Sequence, residues 1–110
     1  MKNMNYKNIN FEEAWEIMNA DPGCIVLDVR EDFEYATGHA ANAVLFPIDN
    51  INENSAAEIL PDKNAAILIY CRTGSRSQEA AEYLSGIGYT NIYDIGSLAG
   101  WPYGLEYGLD

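Results

Sequence analysis

A chain of 110 residues has room for one hydrophobic core, so a single domain over residues 1–110 is expected. At 48% hydrophobic residues it is too apolar for a disordered chain, and no apolar run is long enough to span a bilayer. A formal net charge of −11 makes nucleic acid and anionic membrane surfaces poor general partners.

A short first strand is expected within residues 4–9, around Tyr6 to Ile9. Asn10 then has the character of a helix N-cap, with Glu13 three residues on. Phe11, Ala14, Trp15 and Met18 follow at i, i+3, i+4 and i+7, one apolar face that reads as core. Asp21-Pro22-Gly23 ends this helix in a turn.

Residues 24–29 form a β-branched, apolar run that reads as a central parallel strand. Asp28 interrupts it near its end, and a buried carboxylate needs a partner. Backbone N–H groups or an arginine are the first reading; a direct catalytic role is the second. Cys24 stands at the strand's other end and reads as a packed core thiol, with a resolving cysteine as the alternative. Residues 31–37 are expected to form a short helix that Gly38 stops, and Arg30 is expected to pair with Glu34. His39, the only histidine, follows.

Residues 43–46 read as a third strand, stopped by Pro47. Residues 49–60 carry a weak helical pattern with Ile51, Ile59 and Leu60 as contacts, ended by Pro61 and a turn at Asp62-Lys63-Asn64. Residues 65–70 are an unbroken apolar run, expected as a fully buried strand. Residues 78–84 read as a helix with Ala80, Ala81 and Leu84 on one face, closed by Gly86. A fifth strand is expected at 91–95, then a turn or short helix at 96–101, with Trp101 in the core or at its rim. Strands alternating with helices imply a parallel sheet covered on both faces.

Between the fourth strand and its helix lies Cys71-Arg72-Thr73-Gly74-Ser75-Arg76-Ser77. This places a cysteine at the carboxyl end of a strand and the amino end of a helix, where α/β sheets bind ligands and N–H groups point at anions. Ser75 and Gln78 have capping-box spacing. Helix N–H groups, the helix dipole and two arginines all favour thiolate over thiol, and the thiolate is the nucleophile. Only six residues are basic, and all three arginines (Arg30, Arg72, Arg76) stand near this loop or in the Asp28-Val29-Arg30 segment. That placement suits a small anionic substrate. The two cysteines have no metal-ligand spacing, so no metal and no cofactor are expected. The amino end lacks the apolar region of a signal peptide, and the expected compartment is the cytoplasm, which argues against a disulfide.

Residues 71–76 resemble the six-residue active-site loop of single-domain rhodaneses, sulfurtransferases that carry a persulfide on one cysteine. Asp28-Val29-Arg30, Glu34 through His39, and Gly96 through Trp101 match further marks of that family. The resemblance implies a rhodanese-like α/β fold: a five-stranded, mostly parallel sheet with helices on both faces. It implies that Cys71 is the nucleophile, that Arg72, Thr73, Gly74, Ser75, Arg76 and Ser77 bind substrate, and that Asp28, Arg30, Glu34 and His39 support the site. Arg72 is the better candidate for donor recognition, and Arg76 is expected to close the loop on carbonyls or on Asp28. His39 is expected to position loops rather than to act as a base. Two departures stand out: Ala40 to Asn42 replace the usual Ile-x-Gly, and Gly96-Ser97 stands where relatives often have two glycines.

The implied reaction is a double displacement. Cys71 takes the outer sulfur of an anionic donor such as thiosulfate, and a thiol or cyanide acceptor, or a protein acceptor, removes it. Three alternatives compete. Phosphatases and arsenate reductases of related fold place five residues between cysteine and arginine, where Cys71 and Arg76 have four. A binding module could keep the fold without turnover, and a redox sensor could use Cys71 as a reactive thiol.

Overall fold

The computed structural model of the protein describes residues 6–109. Five strands, β1 (Tyr6–Asn8), β2 (Ile25–Asp28), β3 (Val44–Leu45), β4 (Ile67–Cys71) and β5 (Ile92–Ser97), form one sheet in the order β1-β5-β4-β2-β3. Every pairing is parallel. The expected first strand is present from Tyr6; residues 4 and 5 lie outside the described residues.

The apolar run of β4 has a simple cause: the strand is central, and all five of its residues are buried. Alternate residues feed two cores. Leu27, Ile67, Ile69 and Ile92 face helix α4 (Ser75–Gly86) through Ala80, Ala81 and Leu84, and α3 (Glu53–Ile59) through Ala56. Val26, Leu68 and Tyr70 face α1 (Phe11–Ala20) through Ala14, with Trp15 and Met18 packed around them. The remaining helix, α2 (Asp32–Ala36), follows β2 and buries Tyr35 in this second core.

At the start of α1, Asn10 Oδ1 accepts from Glu13 N at 2.8 Å and Glu13 Oε1 accepts from Asn10 N at 3.0 Å. Asn10→Ala is expected to cost about 1 kcal/mol in chemical denaturation, because the Glu13 amide loses its acceptor at an exposed helix end.

Two helix expectations are corrected. Residues 49–60 are not one helix: a 3₁₀ turn (Ile48–Asn50) breaks before α3. Asn52 caps α3, accepting from Ser55 N at 2.9 Å, and an Asx cap of this kind competes with helix continuation. At α4 the Ser75–Gln78 capping box does not form. Gly74 is the N-cap, at φ +99°, so the helix begins one residue earlier than a Ser75 cap allows. Gly86 is the last residue of α4, but the left-handed turn after it falls at Gly88, φ +107°.

Candidate functional site

Cys71 is the last residue of β4, and four residues later, at Ser75, α4 begins. The loop between them turns back on the sulfur. Gly74 N–H donates to Cys71 Sγ at 2.9 Å. The left-handed Gly74 makes that turn, and a side chain there would strain the backbone. The first i→i−4 bond into the helix is Gln78 N–H to Gly74 O at 3.2 Å, which leaves the amides of Ser75, Arg76 and Ser77 without helical acceptors at this end. Cys71 is fully buried and belongs to the core cluster that packs against α4. Ser77 Oγ donates to Gly74 O at 3.1 Å and holds the curl from inside; Ser75 is exposed.

Neighbouring segments pin the loop. Leu98 N–H donates to Cys71 O at 3.0 Å, and Ser97 Oγ donates to Arg72 O at 2.6 Å. The second bond is one that a glycine at 97 could not make. Gly96, φ +86°, carries the register shift that lets β5 follow this path. Asp94 is buried nearby. Burial pushes its carboxyl up, against the Ser77 hydroxyl and the Gly96 N–H, which favour the charged form.

The arginines are partnered differently from the sequence expectation. Arg30 does not pair with Glu34. Its guanidinium grips Asp28, with Nε to Oδ1 at 2.9 Å and Nη2 to Oδ2 at 2.6 Å, and Nη2 also reaches Gly38 O at 2.8 Å. Burial works against the Arg30 charge, but the Asp28 contacts outweigh it and raise its pKa. Asp28 is fully buried and also accepts from Tyr70 OH at 2.6 Å, so it is partnered as its first reading expects. Burial and then the Asp28 charge push the Tyr70 phenol well above its ordinary value. Glu34 belongs to Arg76, which binds neither carbonyls nor Asp28. Two bonds, Nη1 to Oε1 at 2.7 Å and Nη2 to Oε2 at 2.9 Å, tie the first turn of α4 to α2. The pair forms because Arg76 leaves α4 on the side facing α2, whereas Arg30 lies next to its own strand's carboxylate.

The Arg76 hydrogen bonds hold the Glu34 carboxyl at about 2, far below its ordinary 4.5. A depressed carboxylate stabilises the fold above pH 4.5 and loses that contribution as pH falls toward 2. After screening by water at the rim, about 1–2 kcal/mol is expected to vanish over that window. Melting of Glu34→Gln near neutral pH and in acid checks this: the variant starts less stable and shows a shallower acid dependence.

His39 is buried. Its Nδ1 lies 2.8 Å from Tyr35 O, and its ring stacks on Tyr35 at 3.6 Å. Its backbone pairs with Glu106 through two bonds at 2.9 and 2.8 Å. These contacts locate His39 as a fastener of the loop after α2 to the carboxyl-terminal tail, a tail contact with no signal in the sequence. Asn42 turns the chain at φ +64°, in place of the family's glycine. Cys24 lies at the sheet's opposite end, half-buried against the second core rather than enclosed, and burial raises its thiol pKa. Among the described residues no cluster of His, Cys, Asp and Glu could hold a metal ion.

Two open cavities flank the loop, of about 260 and about 360 Å³. Arg30, Thr37 and Arg72 line both; the first adds Leu98, Trp101 and Leu105, the second Phe33 and Glu34. With Arg30 neutralised by Asp28 and Arg76 by Glu34, Arg72 is the arginine there with no carboxylate partner among the described residues. Sequence reasoning missed Tyr70, which reads as one more apolar strand residue, and Ser97 and Asp94, whose partners are set by tertiary contact.

The family model for the rhodanese-like domain matches residues 10–102, and the chain belongs to that family. It is 36% identical over 72 residues to the thiosulfate sulfurtransferase PspE of Escherichia coli (strain K12), covering 66% of this chain and 68% of that protein. It is 33% identical over 99 residues to the thiosulfate sulfurtransferase GlpE of Coxiella burnetii, covering 89% of each. A tRNA uridine(34) hydroxylase of Hamiltonella defensa is 35% identical over 81 residues, but the chain spans only 23% of that protein's length. Among solved structures, a rhodanese-related protein from Thermoplasma volcanium superposes with a TM-score of 0.78 at 30% identity, covering 94% of this chain and all of that one. An Escherichia coli rhodanese with anions gives 0.71 at 32% identity, covering 77% and 99%.

Proposed function

We propose that residues 1–110 act as one sulfurtransferase unit in the cytoplasm, moving a sulfane sulfur through a persulfide on Cys71. The observation that carries this is the Gly74 N–H donated to Cys71 Sγ at 2.9 Å, at the amino end of α4. An amide aimed at the sulfur favours negative charge there, first on a thiolate and then on the outer atom of a persulfide. The Cys71 thiolate attacks the outer sulfur of thiosulfate or of a persulfide donor. A new S–S bond forms, the donor's own S–S bond breaks, and sulfite leaves with the electron pair in the thiosulfate case. A thiol or cyanide then takes the outer sulfur and returns Cys71 as thiolate. The amides from Arg72 to Ser77 form the cradle, and Arg72 supplies the cation that meets the donor. Arg76 shapes the cradle through Glu34, while Asp28, Arg30 and His39 hold the surrounding loops.

The arginine pairing also bears on the phosphatase alternative. Arg76 has both its terminal nitrogens on Glu34, which leaves fewer of its donors for a phosphate. The decisive experiment is the intact mass after incubation with thiosulfate. A gain of one sulfur atom, reversed by cyanide, is expected. No gain, with hydrolysis of an aryl phosphate, replaces this reading with the phosphatase; silence in both leaves a binding module or redox sensor.

A further inference from the structure

We infer that Ser97 is a positioning residue for Cys71: its hydroxyl locks the Arg72–Thr73 peptide, so that the chain reaches Gly74 with the amide aimed at the sulfur. The inference rests on the sulfurtransferase reading for its kinetic consequence, while the clamp on the loop is independent of turnover.

Arg72 and Thr73 lie between the end of β4 and the start of α4, and both are exposed. Neither a strand ladder nor a helix fixes them. Exposed residues without such support move among backbone states at little cost. Yet the Gly74 N–H that follows them meets Cys71 Sγ at 2.9 Å.

The hold comes from β5. Ser97 pairs with Cys71 in the β4–β5 register and is half-buried. Its Oγ gives its single proton to Arg72 O at 2.6 Å. The same oxygen accepts Ala99 N–H at 3.1 Å, which fixes the direction of the hydroxyl. Contacts stand on either side of this bond. Leu98 N–H holds Cys71 O at 3.0 Å. Gly74 rests on the backbone of residues 96 and 97, where an added Cβ would stand 3.8 Å from Gly96 Cα and 3.9 Å from Ser97 N. Ser97 secures the peptide between those two contacts.

The direction of the bond carries the consequence. In a trans peptide the carbonyl and the next N–H point opposite ways. With Arg72 O turned to Ser97, Thr73 N–H points away from it. Rotation of this plane would swing a carbonyl, the wrong end of the dipole for an anionic sulfur, and carry the Gly74 amide out of line. The Arg72 side chain has rotatable bonds of its own with which to recover its reach; an amide in the loop has none. The clamp therefore bears on stabilising charge at the sulfur, not on capturing the donor.

The test compares Ser97→Ala, Ser97→Thr and Thr90→Ala with the wild type as ¹⁵N-labelled whole chains. Thr90 is a matched control: an exposed hydroxyl just before the other end of β5, whose Oγ1 also bonds a carbonyl, Lys63 O at 3.2 Å. Two quantities are read: water exchange of the Gly74 amide, and the rate of sulfur loading by intact mass over a series of thiosulfate concentrations. Ser97→Ala is expected to speed Gly74 exchange about fivefold and to lower the maximum loading rate about fivefold, with the half-saturating thiosulfate concentration unchanged. Ser97→Thr keeps the hydroxyl and should restore both. Thr90→Ala should change neither. Wild-type exchange at Gly74 in Ser97→Ala overturns the clamp. Faster exchange with an unchanged maximum rate, whether or not the half-saturating concentration moves, overturns the positioning role. So does a fall in rate that threonine fails to recover or that Thr90→Ala reproduces. If Gly74 exchange follows the Ser97 hydroxyl while thiosulfate adds no sulfur to the wild type, the clamp stands and the sulfurtransferase reading falls.

Discussion

Replacing Cys71 with serine is expected to abolish sulfur loading: the variant incubated with thiosulfate should keep its original mass while the wild type gains one sulfur. A serine hydroxyl stays protonated where a thiol yields a thiolate, and oxygen cannot stand in for the sulfur chain of a persulfide. Binding alone cannot rescue the step, because the sulfur has no other nucleophile to rest on within the loop. The fold should survive. The serine oxygen still has the Gly74 N–H for a partner, while its fit among Ile69, Ala80 and Ala81 worsens. A melting curve separates the two effects. Loss of loading with a transition close to the wild type locates the chemistry at Cys71; loading retained by the serine variant would move it elsewhere, Cys24 being the other thiol to inspect.

Much of this arrangement is legible in the sequence because it is periodic or conformationally forced. The buried run ending at Cys71, the Asn10 cap and the stop at Pro47 each follow from one local rule, and the sheet follows from their alternation. The partners of charged groups are not legible in this way. Arg30 and Glu34 are four apart, a spacing that suggests a pair, yet α2 begins only at Asp32 and Arg30 lies before it. Arg30 therefore does not share a helical face with Glu34, and Asp28 wins it. Glu34 is then free for Arg76, distant in sequence and close only once α2 and α4 are packed. The Ser75–Gln78 pattern fails for a related reason: Gly74 can take the positive φ that the curl around Cys71 requires, so the helix starts there. Leu105 sits in sequence that carries no motif for the cavity it lines. The tail that carries it is paired with His39, a long-range pairing with no periodic signal.

Asp28→Ala is expected to be the most destabilising single substitution near the site, at about 3–5 kcal/mol in denaturant unfolding. Asp28 is fully buried and accepts from the Arg30 backbone N–H at 3.0 Å, from the Arg30 guanidinium and from Tyr70 OH. Its removal leaves a guanidinium that is 7% exposed with one carbonyl, Gly38 O, in place of a counter-charge. It also leaves the Tyr70 hydroxyl without its acceptor, although that oxygen still receives Ala40 N–H at 3.2 Å. Tyr70→Phe should cost much less, about 1–2 kcal/mol, since Asp28 keeps its arginine. If the cost of Asp28→Ala comes from the stranded charge, adding Arg30→Met should recover part of it, because an apolar chain in that space needs no partner. If instead the two losses add, the carboxylate is holding the backbone turn at Arg30, and the same double variant will unfold more easily than either single one. A cost below about 1 kcal/mol for Asp28→Ala would mean that water replaces the carboxylate, and that the network is not the brace between β2 and the residue preceding Cys71.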